Sequence, residues 1–212
     1  MALPSEKLIT INDRGARTAT TFGSLSQGGA NMVFIKKLTA SSSATLSFVD
    51  GASSVVLDDT YKEYLFTFNN MHPQTAESQF QFNMSVDTGS NYNVAKTTTF
   101  FYARHYEDAS GGQLAYRAGD DLAQGTGFQP LTIGQNNNAD DGTSGSLNLF
   151  NPSSTTFVKH FTSRVNMIAS NPFTFDGHIA GYGNTTSAVD AIQFKMSSGN
   201  IDSGDICLYG IL

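Results

Sequence analysis

Cysteine is nearly absent from this chain, and tryptophan is missing altogether. The 212 residues include a single cysteine, Cys207, so no disulfide can form within the chain and packing must hold the fold. Charged residues make up only 14% of the sequence, well below the roughly 25% of ordinary soluble domains. No stretch approaches the ~18 apolar residues of a membrane span, and no apolar signal-peptide core follows the first residues. We therefore expect no membrane insertion, no Sec export and synthesis in a reducing cytoplasm.

Small polar and aromatic residues take the place of the missing charge. Serine, threonine and asparagine number 61, beside 20 glycines, 16 phenylalanines and 8 tyrosines. Aromatic and β-branched side chains fit pleated strands, whereas glycine, serine and asparagine fit the turns between strands. The composition also supplies enough aromatic material for a core, which disordered chains lack. It predicts an all-β protein with many loops.

Short apolar and alternating runs fill most of the chain after residue 30. The clearest is 79–86, where Phe80, Phe82, Met84 and Val86 share one face with a period of two. With turn clusters between the runs, the pattern predicts eleven or twelve strands in a jelly-roll-like antiparallel β-sandwich over 31–212, or alternatively an up-and-down barrel. The other runs are 31–38, 44–49, 54–57, 63–68, 97–106, 127–133, 146–150, 155–168, 178–182, 191–196 and 205–212. We expect the last strand to be central in its sheet or at an interface.

The first 30 residues differ from the rest in composition and charge. They are polar and rich in glycine, threonine and serine, and they predict an extended N-terminal arm. Residues 1–40 carry five basic and two acidic side chains, a local charge of +3, while the remaining 172 carry seven and sixteen, a local charge of −9. The arm is therefore either a solvated tail or a segment that docks on an acidic surface. In the second case Arg14, Arg17, Lys36 and Lys37 are the predicted docking contacts. The sequence has no dense basic patch with interleaved aromatic residues, so we do not expect nucleic-acid binding.

Two triplets share the spelling of the aspartic-protease signature. They are Asp87-Thr88-Gly89, followed by a serine, and Asp202-Ser203-Gly204. Such an enzyme needs two aspartates that share a proton, each at the end of a loop that closes a buried strand. Asp202 follows a run of turn residues instead, and the sequences around the two triplets are otherwise dissimilar. We interpret Asp87 to Asn91 as the tip of a hairpin, and the protease remains a remote alternative.

Other catalytic or metal-binding patterns are weak. Acidic and asparagine clusters, such as Asp140-Asp141, match no full calcium-loop spacing and suit β-turns equally well. The four histidines, His72, His105, His160 and His178, have no metal-ligand spacing. We expect no metal, no cofactor and no enzymatic activity. Loop residues Asn91, Tyr92, Asp140 and Asp141 are predicted surface contacts, since amides and aromatic rings suit sugars as well as turns.

Four segments together resemble structural proteins of tailed bacteriophages, especially phages of marine bacteria. They are LDDTYKEYLFTFNNMHPQT (57–75), FQFNMSVDTGSNYN (80–93), LFNPSSTTFVKHFTSR (149–164) and NTTSAVDAIQFKMSSGNIDSGDICLYGI (184–211). The resemblance covers about residues 33–212. It implies a virion component with a β-sandwich domain that is made in the host cytoplasm, and it supplies no catalytic residues.

Two roles in a virion follow from the resemblance. A capsid decoration or cement protein is short, usually trimeric, and grips the shell with an N-terminal arm. A tail-fibre or receptor-binding protein recognises host polysaccharide and normally carries a fibrous shaft, for which this chain has no heptads or collagen-like run. We therefore expect a homotrimeric decoration protein on the capsid surface that binds the major capsid protein or another virion protein, with host glycan binding in the tail as the alternative.

Overall fold

The computed structural model describes residues 31–169 and 171–212, and Asn31–Leu212 forms one compact unit. This part of the chain is all β, with twelve strands and no helix. It therefore has no helix of the length and hydrophobicity that a membrane span requires. The predicted arm, residues 1–30, lies outside the described residues. The strands are β1 Met32–Ser43, β2 Leu46–Val49, β3 Glu63–Pro73, β4 Phe80–Ser85, β5 Lys96–Tyr106, β6 Gly112–Tyr116, β7 Gln129–Pro130, β8 Thr143–Phe150, β9 Lys159–Ile168, β10 Phe173–Gly183, β11 Ala191–Met196 and β12 Ile201–Ile211.

The strands form two antiparallel sheets. The eight-stranded sheet has the order β1-β12-β3-β8-β9-β10-β5-β6, and the four-stranded sheet has the order β2-β11-β4-β7. Four nested pairs, β1 with β12, β2 with β11, β3 with β8 and β4 with β7, alternate between the sheets. A chain paired in this way is one long hairpin rolled across two sheets, which is the winding of a jelly roll. The all-β prediction and the sandwich are confirmed, and β12 lies inside its sheet as expected.

Two additional hairpins widen the larger sheet beyond this nested core. β5 and β6 lie between β4 and β7 in the chain, and β9 and β10 lie between β8 and β11. β9 pairs with β8 and β10 pairs with β5, so all four strands extend the sheet on the side of β8. The outward face of β5, β6, β9 and β10 is therefore additional sheet surface, which the four nested pairs alone would not provide.

Strand alternation and burial explain why these segments form these strands. Along β9 every second residue is buried, and the buried set includes Phe161, Val165 and Met167. In β4, Phe80, Phe82 and Met84 are fully buried as predicted, whereas Val86 lies beyond the strand and is partly exposed.

Three details of the predicted strand pattern are wrong. Residues 54–57 form no strand, although Val55 and Leu57 are buried. The run 127–133 contributes only the two residues of β7. Strand β6, with its exposed Leu114 and Tyr116, was not predicted at all.

Phe194 on β11 lies at the centre of the contact between the sheets. Its side chain is fully buried. Its ring centroid lies 5.3 Å from Phe68 and 5.5 Å from Phe66 of the eight-stranded sheet, and 5.8 Å from Phe80 of its own sheet. Phe48 and Phe82 complete the group at 6.3 Å each. Aromatic pairs at these separations add ~0.5–1.5 kcal/mol each beyond the area they bury.

We predict that Phe194→Ala destabilises the domain by about 3–5 kcal/mol, because it removes a ring that five others surround. The matched control is Phe157→Ala, since Phe157 is 66% exposed. We expect that change to stay within about 0.5 kcal/mol. Urea unfolding followed by circular dichroism measures both values. A loss below ~1 kcal/mol at Phe194 would show that the sheets do not depend on this cluster.

Candidate functional site

The Asp87 segment is a tight turn. Thr88 and Gly89 have φ angles of 58° and 76°, and the Ser90 amide donates to the Asp87 carbonyl at 3.2 Å. The Asp87 carboxylate accepts from the Asn91 amide at 2.8 Å and from the Ser85 hydroxyl at 2.7 Å. These hydrogen bonds, first of all the one from the Asn91 side chain, hold the pKa of Asp87 below its ordinary value. The predicted turn, with glycine at positive φ, is therefore confirmed.

The prediction that this turn closes a hairpin is wrong. β4 pairs with β11 and β7, and the chain leaves the turn for β5 in the other sheet. The segment is thus a connection between the sheets. The backbone amide of Thr88 anchors this connection by donating a 3.0 Å hydrogen bond to the Asp190 carboxylate.

Asp87 and Asp202 do not form a protease dyad. Ser85, two residues before Asp87, pairs with Ala191 at one end of β11, whereas Asp202 follows the opposite end of that strand. A strand of six residues spans ~20 Å, too far for two carboxylates to share a proton. The carboxylate of Asp202 instead lies 3.5 Å from Nδ1 of His72.

Asp140 and Asp141 line an open polar cleft of about 890 Å³ together with His72 and Asp202. His72 fixes one wall through a 2.9 Å hydrogen bond between Nε2 and the Asn138 carbonyl. Sequence spacing did not predict this grouping, because Asp202 and His72 lie far apart in the sequence and only the pairing of β12 with β3 brings them together. Within residues 31–169 and 171–212, no three or more His, Cys, Asp or Glu side chains are arranged to hold a metal ion.

The four predicted loop contacts do not form one surface. Asn91 and Tyr92 follow the last residue of β4, whereas Asp140 and Asp141 lie beyond its first residue, next to the bridge between Ser78 and Gln135. Asn91 is exposed but engaged with Asp87, since its Nδ2 donates to Oδ2 at 2.7 Å. Tyr92 is half-buried. The two pairs occupy opposite ends of the four-stranded sheet.

Of the predicted docking residues, Lys36 and Lys37 lie on β1 and Arg14 and Arg17 lie outside the described residues. Lys36 is half-buried, and Lys37 forms a 3.3 Å ion pair with Asp205 on β12. Asp205 also accepts from the Thr39 hydroxyl at 2.5 Å, and this contact is the main cause of its lowered pKa. The charge of Lys37 is consequently paired across two neighbouring strands of its own sheet.

The edge formed by β1 also presents apolar side chains. Met32 is 49% exposed and Phe34 is 57% exposed, and the Phe34 ring packs edge-on against Tyr209 at 5.7 Å. The exposed Leu212 lies beside them, because its amide donates to the Asn31 carbonyl at 3.0 Å. We call Met32, Phe34, Tyr209 and Leu212 the edge patch. It lies beside Asn31, the residue that follows the predicted arm in the sequence.

A second feature, the outer groove, runs across the outward face of the extended part of the larger sheet. It is a shallow depression of about 290 Å³, lined on β5, β8, β9 and β10 by Phe101, Ser146, Asn148, Thr162, Arg164, His178 and Ala180. The rings of Phe101 and His178 stack at 4.9 Å with an interplanar angle of 4°. Phe101 is 43% exposed, so part of its ring is accessible from solvent.

Charged partners fix the position of the polar side of the outer groove. Arg164 donates two hydrogen bonds to Asp176, at 2.9 and 2.8 Å, and this fork geometry is the strong form of a guanidinium–carboxylate pair. Nε2 of His178 lies 3.4 Å from the same carboxylate. The contact with Arg164 is the main cause of the lowered pKa of Asp176. The groove thus combines an aromatic ring with polar side chains of fixed orientation.

Sequence reasoning missed the outer groove. The alternation in β9 and β10 puts Arg164, Asp176 and His178 on outward positions. Joining them requires the register of β10 with β9 and β5, which pairs His178 with Arg164 on one side and Phe101 on the other. That register is not readable from a single strand. The predicted strand also began at His178, so Asp176 was left outside it.

Comparison of this chain with protein families, curated proteins and solved structures finds no match.

We predict that Gly89→Ala destabilises the domain by about 1–2 kcal/mol, because its φ is 76° and a Cβ would lie 2.8 Å from the Tyr92 hydroxyl. Gly119→Ala is the matched control, since Gly119 has neither a positive φ nor a neighbour within 4 Å of the added carbon. Thermal and urea unfolding measure both changes. Equal stability of the two variants would contradict the turn geometry.

Proposed function

We propose that this chain is a non-enzymatic structural protein of a tailed-phage virion, and that it decorates the capsid and stabilises the assembled shell. The resemblance to phage structural proteins supports this role. Its four segments include β3, β4, β11, β12 and the first half of β9, and each of the four nested pairs contains one of these strands. Jelly rolls of this winding recur in viral capsid proteins, although they also recur in lectins and cupins. The fold is therefore compatible with the role but does not select it.

The observation that carries the proposal is the β1 edge. Among the described residues, β1 pairs only with β12, so its other side presents unpaired backbone groups along a strand of twelve residues. Such an edge is a template for pairing with another chain unless something covers it. The edge patch adds apolar area at the same place. Edge strand and edge patch together form a surface for docking on a shell, and the predicted arm precedes them in the sequence.

The mechanism is stabilisation by mass action. A subunit that binds the assembled shell and not its dissociated parts shifts the equilibrium toward the shell by RT ln(1 + [L]/Kd). Arg14 and Arg17 supply positive charge to the arm, whereas Lys37 is already paired with Asp205. We therefore assign electrostatic docking to the arm and assign the β1 edge to backbone and apolar contacts. A homotrimer multiplies these contacts, because linked sites bind with avidity.

We predict that deleting residues 1–30 lowers binding to purified shells of the encoding phage by at least about tenfold, because the arm carries the docking charge. Replacing Phe34, which is 57% exposed, by serine should weaken binding by a smaller factor. Phe157→Ser is the control, since Phe157 is 66% exposed and lies in the loop before β9, outside the edge patch. Co-sedimentation with shells measures occupancy, and electron cryo-microscopy locates the density.

Three outcomes would contradict the decoration role. They are unchanged occupancy after the deletion, no occupancy of shells by the intact protein, and density on the tail instead of the capsid. Sedimentation equilibrium of the intact chain tests the trimer separately.

A second candidate, recognition of host polysaccharide, is favoured by the outer groove. Ligand sites combine an apolar or aromatic surface with a few polar groups of fixed orientation. The exposed part of Phe101 and the His178 ring stacked on it offer aromatic surface to a sugar ring, while Asn148 and Arg164 can bond to its hydroxyl groups. On this alternative the protein belongs to the tail, where it contacts the host surface.

We predict, for this second candidate, that Phe101→Ala lowers affinity for host polysaccharide by about 10-fold or more, because stacking on an aromatic ring is lost. Leu114→Ala is the matched control, since Leu114 is 75% exposed and lies on neighbouring β6 outside the groove. Isothermal titration with purified host polysaccharide gives both affinities. If the unaltered protein binds no host polysaccharide, the second candidate is wrong and the decoration role is unaffected.

A further inference from the structure

Two lysines are buried inside this sandwich, and they differ in their surroundings. Lys96 on β5 and Lys159 on β9 are both fully buried, and both pair in register with Gly183 of β10. Lys159 donates to the backbone carbonyls of Ser154 and Phe157 at 2.6 Å each. Those carbonyls suit an ammonium ion. Lys96 instead contacts one carbonyl, that of Val94 at 2.9 Å, and a side-chain amide.

The side-chain amide belongs to Asn83 on β4. Nζ of Lys96 lies 2.5 Å from Oδ1 of Asn83, and both residues are fully buried. Because the C=O bond is ~1.23 Å long, Nζ can be no more than about 3.7 Å from the carbonyl carbon. Reacting atoms held about 3–3.5 Å apart are already near an attack geometry. The upper bound of about 3.7 Å therefore places the amine next to the carbonyl carbon, close to that range.

The surroundings hold both groups in the orientation for a reaction. Nδ2 of Asn83 donates to the carbonyls of Tyr92 at 2.6 Å and Thr126 at 3.0 Å, so the amide cannot turn. Oδ1 accepts from the backbone amide of Met84 at 2.8 Å, which is the kind of donor that stabilises a developing oxyanion. Among the described residues, no carboxylate forms an ion pair with Lys96. Burial lowers the pKa of Lys96 to about 7, so much of the amine is neutral and nucleophilic at neutral pH.

We propose that Lys96 and Asn83 form an intramolecular isopeptide bond that joins β4 to the start of β5. The Nζ lone pair attacks Cγ of Asn83, and the electrons of the C=O bond move onto Oδ1, which the Met84 amide stabilises. A proton then passes from Nζ to Nδ2, the Cγ–Nδ2 bond breaks, and ammonia leaves. One amide and one amine become one amide and ammonia, so the step needs no oxidant, reductant or other reactant.

The reaction depends on the fold. Amides react very slowly with free amines in water, and positioning in a protein supplies effective molarities of ~10⁵–10⁸ M. In the part of the chain that the structure describes, no carboxylate contacts Lys96 as a proton shuttle, so we expect formation over hours to days in the folded protein and none in the unfolded chain. Lys159 is the internal control, because its hydrogen-bond partners among the described residues are the backbone carbonyls of Ser154, Phe157 and Thr185.

The test is a mass measurement on the unaltered full-length protein after incubation at pH 8. We expect an intact mass about 17 Da below that of the sequence, which is the loss of one ammonia. Trypsin does not cleave after an amidated lysine, so the peptide 63–96 should be replaced by the peptide 63–104 with the same deficit. The sequence has no lysine or arginine between Lys62 and Lys96, and no Asn-Gly pair that would lose ammonia by succinimide formation.

Two further measurements sharpen the result. In urea, an amine-reactive reagent should label Lys159 and leave Lys96 unlabelled. The variants Lys96→Met and Asn83→Leu should both recover the full sequence mass. The proposal is overturned if peptide 63–96 is recovered at its full mass after prolonged incubation, or if Lys96 is labelled as fully as Lys159 in urea.

Discussion

The packing of phenylalanine rings between the two sheets is the interaction on which the rest of this structure depends. Cys207 is the only cysteine in the chain, so no intramolecular disulfide joins the sheets. Phe194 reaches from the four-stranded sheet to Phe66 and Phe68 of the eight-stranded sheet, and the contacts are tilted or edge-on rather than parallel. Such arrangements suit the charge distribution of aromatic rings and fix their relative positions. Burial of large rings therefore replaces covalent links in holding the sandwich together.

The nested winding decides where any docking surface can lie. Because β1 and β12 form the outermost of the four nested pairs, the start and end of the sandwich meet on neighbouring strands at one edge of the larger sheet. The hydrogen bond from the Leu212 amide to the Asn31 carbonyl closes this edge. Asn31, the residue that follows the predicted arm in the sequence, therefore lies at this edge, beside β1. The outer groove lies toward the opposite side of the same sheet, on strands that the inserted hairpins supply, so the two surfaces can act independently.

The sequence predicts the fold well where burial alternates and poorly where it does not. β4, β9 and β11 lie within predicted runs because their buried apolar residues recur mainly with a period of two. Residues 54–57 were predicted as a strand because they are apolar, but they form a loop that buries Val55 and Leu57. Burial in a loop requires apolar side chains but not strand geometry. β6 is a strand without alternating buried apolar residues, because its pairing with β5 leaves Leu114 and Tyr116 exposed. Its sequence therefore did not predict it.

The candidate sites were less predictable than the fold, because they depend on the register between strands. The alternation places Arg164 and His178 on outward faces, but only the pairing of β9 with β10 makes them neighbours. The same holds for the cleft that joins Asp141 to Asp202. The Asp87 turn was predictable, because a turn depends on residues that are adjacent in the chain. Its role as a connection between sheets was not, because that depends on the partners of β4.

The contact between Lys96 and Asn83 lies where the jelly roll departs from its nested winding. After β4 the chain leaves the four-stranded sheet for the inserted strand β5, and it returns to pair with β4 only at the two residues of β7. On the side that faces β7, β4 therefore has few strand hydrogen bonds beyond Phe82. The Val94 amide donates to the Met84 carbonyl there, but the distance is long, at 3.4 Å. A covalent link from Asn83 to Lys96 would hold this edge where backbone pairing is sparse. It would also bury the lysine as an uncharged amide, which removes the cost of desolvating an ammonium ion without a counterion. A single bond between Asn83 and Lys96 would thus compensate both for the sparse pairing of β4 and for the burial of the lysine.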